Sequence, residues 1–296
     1  MINQAGQWIF MKRNAVYKTT HYDKVAKAWP YIFGRHFHFG YFENPHLSLD
    51  EATGALNDML LEQAELNGTG HVLDVGCGIG GPAFYLKEKL DCTVVGISTS
   101  RECVALATAA GRERNLADGV RFMIADGTDT RLPAGSFDLV WMMESSHTMK
   151  DKKKLFGECF RLLKPGGKVL AADVMPRHQN RLVHYVKTLR EWGLVRSLGL
   201  IRMRNAFGPA WTESLDYHTM LLERLGYRDI ITREIGEYVR PTFACWKENI
   251  RLFEKEIRDC FSRRQLNDFL TATDLVDDWY RSGLLGYGLI AAAKPV

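Results

Sequence analysis

Hydrophobic and polar positions along the chain follow two periods in turn. Short runs rich in β-branched and apolar residues fall at 71–75, 92–97, 120–125, 137–142 and 168–173, and segments of helical length and period lie between them at 81–90, 101–114 and 151–163. Such alternation predicts βαβ units and a parallel sheet, because each crossover helix must lay its apolar stripe on the sheet. In Lys152–Leu163 the residues Leu155, Phe156, Cys159, Phe160 and Leu163 recur at three- and four-residue spacing, and Lys164-Pro-Gly-Gly follows as a stop signal. This segment is read as an ordinary packing helix. After Asp173 the alternation breaks, and residues 177–226 carry helical patterns with Trp192, Trp211 and several glycines before the β-like run Tyr227–Glu234. An inserted helical cap is the expectation. Within it Leu182, Tyr185, Val186, Leu189 and Trp192 share one face while Arg177, Arg181, His184 and Lys187 fall on another, as in a helix that closes over a pocket. A charged helical stretch, Lys247–Tyr280, precedes Leu284–Ala293, whose small and apolar residues suit a last strand. The N-terminal part holds a dense aromatic and histidine run, Trp29 to Phe42, placed to face a ligand.

The run His71-Val-Leu-Asp-Val-Gly-Cys-Gly-Ile-Gly-Gly81 is where chemistry enters. An apolar strand ends in a carboxylate and opens into a glycine-rich turn, which permits positive φ and close approach of a nucleotide-like cofactor. Gly76, Gly78 and Gly81 satisfy the G-x-G-x-x-G dinucleotide pattern. The second strand, Thr93-Val-Val-Gly-Ile-Ser-Thr-Ser100, lacks the acid that would hold a dinucleotide's ribose, so the NAD reading loses its anchor. Asp74 suits a cationic ligand with an ammonium and a sulfonium better than it suits a pyrophosphate. S-adenosylmethionine has both charges.

Four blocks, Val72-Leu-Asp-Val-Gly-Cys-Gly-Ile-Gly80, Ala125-Asp126-Gly127, Phe137-Asp-Leu-Val-Trp141 and Leu162-Leu-Lys-Pro-Gly-Gly-Lys168, resemble in type and order those of class I S-adenosylmethionine-dependent methyltransferases. The resemblance covers residues 70 to 175. With His38-Phe-Gly-Tyr-Phe42, the helix after it and the cap, it extends to the small-molecule branch that includes sugar O-methyltransferases and tocopherol and sterol C-methyltransferases. It implies a doubly wound, mostly parallel, seven-stranded Rossmann-like α/β sheet with N-terminal helices and an inserted cap. The implied division is a helical and aromatic lid (1–66), a cofactor-binding core (67–176), the cap (177–226) and strands and helices that complete the core (227–296).

By this resemblance Asp74 receives the methionine ammonium, Gly76, Gly78 and Gly127 allow close approach, Asp126 accepts the adenine amino group, and Ser98 stands in for the ribose-binding acid with Arg101 nearby. His38 and Tyr41 close over the methionine end. The acceptor side centres on Met143-Glu-Ser-Ser-His-Thr-Met149, past the fourth strand, where ligands of open α/β sheets bind. The sugar O-methyltransferases carry two adjacent histidines there, and this chain keeps only the first, His147. For a hydroxyl acceptor His147 is the candidate base, with Asp173 orienting it and Glu144 beside it. Phe39, Arg177, Arg181, His184 and Trp192 are candidates for acceptor contact.

Composition narrows the function classes. With 296 residues, 46% of them hydrophobic, the chain can bury a sizeable core. The apolar run Leu284–Ala293 is too short for a membrane span and the N-terminus lacks signal-peptide order, so a cytoplasmic protein without membrane contact is expected. Six cysteines without a C-x-x-C pair point to reduced thiols and no metal site. A formal charge of +4 is too small to imply nucleic acid, and no N/D-P-P-Y-type motif follows the fourth strand. The basic residues are concentrated at Arg177–Arg204, which fits a small, amphipathic acceptor with an anionic head. The first functional expectation is therefore C-methylation of a prenyl diphosphate-like isoprenoid in secondary metabolism, with cyclisation as an accompanying option. The second is O-methylation of a sugar or other natural-product hydroxyl, and a third, of another class, is a non-catalytic cofactor-binding module.

Overall fold

The computed structural model describes residues 21–64, 66, 69–177 and 202–296. Seven strands form one sheet: β1 His71–Val75, β2 Thr93–Ser98, β3 Val120–Ile124, β4 Phe137–Met143, β5 Leu163–Pro176, β6 Arg228–Glu234 and β7 Leu285–Ala293. Their order across the sheet is β3-β2-β1-β4-β5-β7-β6, with the first five parallel and β7 antiparallel to both its neighbours. The doubly wound, mostly parallel expectation holds, and the helices that bridge the parallel strands account for it.

Strand β5 is longer than the run 168–173 that its pattern predicts. Its antiparallel partner β7 pairs with it continuously from Lys168 to Pro176, and an irregularity opposite Phe137 and Leu139 lets the chain begin pairing at Leu163. All nine residues of β7 are buried, as a strand covered on both faces requires, and its glycines and alanines keep those faces thin. The predicted helical stretch 247–280 divides into Thr242–Leu252, Glu254–Cys260 and Arg263–Arg281. A new start is written at Ser262, whose side chain caps Gln265 N–H while Gln265 returns to the Ser262 N–H.

Apolar side chains collect in two layers, one on each face of the sheet. One joins the N-terminal residues and the helices between 242 and 281, and the other joins the helices Lys152–Leu162 and Leu215–Leu225. Between these layers the carboxyl ends of β1, β2, β4 and β5 open toward one rim, the place where an open α/β sheet offers a crevice. Among the described residues no helix is long and apolar enough to cross a membrane, and all six cysteines are free thiols.

Candidate functional site at the carboxyl ends of the strands

Asp74 sits near the end of β1, almost wholly buried, and its Oδ2 has no hydrogen-bond partner. Burial pushes its pKa up to about 7. An unpaired carboxylate in such a place is unfavourable until a cation completes it. The turn that follows holds Gly76, Gly78 and Gly80 at φ of 84°, 51° and 94°. A Cβ on Gly76 would lie 2.3 Å from the Ser145 Cβ, and one on Gly81 would lie 2.7 Å from the Arg35 carbonyl oxygen. At both positions an added side chain would strike protein, and Gly76 also borders the cavity. Gly78 borders the cavity too, beside the Phe37 ring.

The next group lies past β4 and at the end of β5. Asp173, itself buried, accepts four hydrogen bonds: from His147 Nδ1 at 2.7 Å, His147 N–H at 2.8 Å, Ser146 Oγ at 2.6 Å and Val174 N–H at 2.8 Å. Burial alone would raise its pKa, but the His147 charge and these donors hold it below the usual carboxylate value. Likewise burial would depress His147, and the Asp173 charge and hydrogen bond outweigh it and keep the ring above its ordinary value. An ionised Asp173 can only accept, so Nδ1 is the donor and Nε2 is the ring's accepting nitrogen.

Glu144 stands between, at φ 50°. Its Oε1 accepts from the Phe39 N–H and the Tyr287 hydroxyl, each at 2.7 Å, so it ties the N-terminal segment to β7. Burial raises its pKa to about 8. Phe37, also bordering the site, adopts φ 69°, a conformation a bulky side chain holds only when its surroundings enforce it.

These groups line a cavity of about 750 Å³. Asp74, Gly78, Ser98, Asp126 and Gly127 border one part of it, and Glu144, His147, Thr148 and Trp211 another. Aromatic rings of Trp29, Phe33, Phe37, Phe39, Phe243, Trp246 and Trp279 supply much of the rest. Phe39 meets Phe243 and Trp246 edge to face at 5.2 and 4.8 Å, which fixes the rings as a rigid wall.

A family model described as a methyltransferase domain matches residues 73–171. Methyltransferase GfsG of Streptomyces halstedii is 30% identical over 225 residues, covering 75% of this chain and 76% of that protein. The chain belongs to the class I S-adenosylmethionine-dependent methyltransferases. A second relative of this methyltransferase, the 27-O-demethylrifamycin SV methyltransferase of Amycolatopsis mediterranei, is 29% identical over 93% of this chain and 95% of its own. The solved cyclopropane synthase MmaA2 from Mycobacterium tuberculosis shares the fold at a TM-score of 0.80, with 17% identity over 93% of this chain and 99% of that one. S-adenosylmethionine is the cofactor of this enzyme, and the orphaned buried oxygen of Asp74 fits its cationic amino group.

The structure brings most of the residues singled out in the sequence to this methyltransferase's cavity. His38 borders it fully buried, its pKa lowered to about 3 by desolvation, so the ring is neutral. Asp126 uses Oδ1 to cap Thr128 through its N–H and hydroxyl. Tyr41 does not line the cavity; it packs against Tyr238. Arg101 is exposed at the start of its helix, away from the lining. Arg177, a candidate for acceptor contact, pairs with Glu234 and Glu237 and does not line the cavity. Arg202 likewise turns to Asp268 on the helix Arg263–Arg281, while Met203 and Phe207 of the same helical turn face the cavity. Arg181, His184 and Trp192 lie outside the described residues. Sequence reasoning passed over Met203, Phe207, Trp246 and Trp279 as site residues. For the first two the signal was the i, i+4 apolar pair among polar neighbours.

Proposed function

We propose that this enzyme methylates a hydroxyl oxygen of a bulky, largely apolar small molecule, with His147 as general base and Asp173 as the group that orients it. The observation that carries this reading is the 2.7 Å contact from His147 Nδ1 to the buried Asp173 at the cavity wall. Nε2 takes the hydroxyl proton, and Asp173 stabilises the imidazolium that results. S-adenosylmethionine supplies the electrophilic methyl group. Asp74 would hold its ammonium, Ser98 and Asp126 would take the ribose and adenine, and Gly78 would leave the turn open to it. The walls exclude water and hold the acceptor for in-line displacement. A relative whose name specifies an O-demethyl acceptor supports the choice of oxygen.

A second reading, C-methylation of an isoprenoid with an anionic head, is favoured by the ring-lined part of the cavity. Aromatic faces stabilise the carbocation that an alkene leaves after taking a methyl group, and such a cation can close a ring. Both readings suit secondary metabolism. The test is turnover of a panel of hydroxylated natural products and prenyl diphosphates by wild-type and His147→Ala enzyme, read by product mass. Oxygen-methylated products, with kcat reduced about a hundredfold or more in the variant and donor affinity kept, are expected. Carbon-methylated products formed at a comparable rate by both proteins would replace this reading with the second.

A further inference from the structure

Lys152 is the first residue of the helix Lys152–Leu162 and only 3% exposed. A cation is disfavoured twice there, by the positive end of the helix dipole and by burial. Its ammonium donates to three backbone carbonyls: Ser146 at 2.7 Å, Met149 at 2.6 Å and Trp211 at 2.6 Å. Three N–H donors thus meet three carbonyls. Two of those carbonyls flank His147 in its turn, and the third belongs to the segment that leads into the helix Leu215–Leu225. The Trp211 N–H closes the circuit by donating to the His147 carbonyl at 2.7 Å. Both His147 and Trp211 border the cavity.

We infer that Lys152 is a positioning residue for methyl transfer, locking the His147 turn and the Trp211 segment into one unit so that an acceptor resting on Trp211 meets the base in register. The inference rests on His147 being the base. Among the described residues, the charged groups that act on His147 are Asp173 on β5, Glu144 just past β4 and Lys152 itself. Burial and Lys152 disfavour the imidazolium, while Asp173 and Glu144 favour it. His218, on the helix Leu215–Leu225, feels the same ammonium and is kept neutral chiefly by burial. Lys152 therefore acts on His147 in two ways, through geometry and through charge.

The experiment compares Lys152→Met and Lys152→Arg in wild-type and His147→Ala backgrounds, with an acceptor the enzyme turns over. Lys152→Met should lower kcat about tenfold or more and move the acid limb of kcat/KM upward, because the neutral ring then forms only at higher pH. Its Kd for S-adenosylmethionine should stay within about twofold of wild type. Lys152→Arg keeps the charge, so its acid limb should remain at the wild-type position while its planar donors fit three carbonyls less well and kcat falls several-fold. Neither substitution should lower kcat further in the His147→Ala background. An unmoved acid limb in Lys152→Met, or losses that add fully to His147→Ala, would overturn the inference and leave the base intact. If Lys152→Met does not fold, the Arg variant decides through the same additivity. Wild-type kcat in His147→Ala alone would instead remove the base reading, and this inference with it.

Discussion

Replacing Asp74 by Asn should make the ligand-free enzyme more stable and bind its cofactor less tightly. The folded pKa of about 7 lies above the ordinary 3.8, so the folded state keeps a proton that the unfolded chain has released. The group's contribution to stability is fully present below pH about 4 and is lost as pH rises through 7. The difference corresponds to about 4 kcal/mol at pH 8, where the buried carboxylate is ionised without a partner. An amide removes the charge but leaves polar atoms unpaired, which costs about 1–3 kcal/mol, so a net gain of about 1–3 kcal/mol is expected. That should appear as a rise of several degrees in Tm, at roughly 2–4 °C per kcal/mol. At pH 5, between the two pKa values, only about 1.6 kcal/mol of that difference has developed, so the gap in Tm between the two proteins should be much smaller than at pH 8. Binding moves the other way: loss of a charge-assisted contact to the ammonium should weaken Kd about ten- to hundredfold and abolish most of the thermal shift that S-adenosylmethionine gives. Melting curves at pH 5 and pH 8, with and without the cofactor, and a calorimetric titration measure both. If ligand-free Asp74→Asn melts below wild type at pH 8, or the cofactor stabilises it as much as wild type, the reasoning about this carboxylate is wrong.

In Asp173→Asn the group that holds the His147 pKa up is gone, so the acid limb of the kcat/KM profile should move to lower pH while kcat falls by about a hundredfold through lost ring orientation. Glu144→Ala leaves the Phe39 N–H and the Tyr287 hydroxyl unpaired and should cost about 2–3 kcal/mol in urea denaturation. Glu144→Gln should cost less than about 1 kcal/mol at pH 7, because a carboxyl with a pKa of about 8 is already mostly neutral there. Gly76→Ala places its Cβ 2.3 Å from the Ser145 Cβ and should lower stability by about 2 kcal/mol or more. Adding Ser145→Gly should recover part of that loss but not the roughly 1 kcal/mol that alanine incurs at φ 84°.

What the chain spells out locally it spells out well. The five parallel strands, the helix Lys152–Leu162 and the turn after Asp74 follow from period and glycine placement, because each depends on neighbours within a few positions. The methyltransferase blocks are of this kind, and they hold Asp74 and Asp126, two of the residues that border the cavity. Partnership across the fold is different. That Asp173 receives the His147 ring, that Glu144 receives Phe39 and Tyr287, and that Lys152 ties Trp211 to the His147 turn depends on which strand ends lie side by side and which segments pack across them. The cap's arginines make the same point from the other side. Charge counting put Arg177 and Arg202 in one basic segment, but only the folded chain gives them Glu234 and Asp268 as partners and turns Met203 and Phe207 inward. A charge in sequence carries no direction. Its partner is set by the lowest-energy packing of segments dozens of residues apart, so the sequence by itself determined the cofactor's cradle and the tertiary structure decided what faces it.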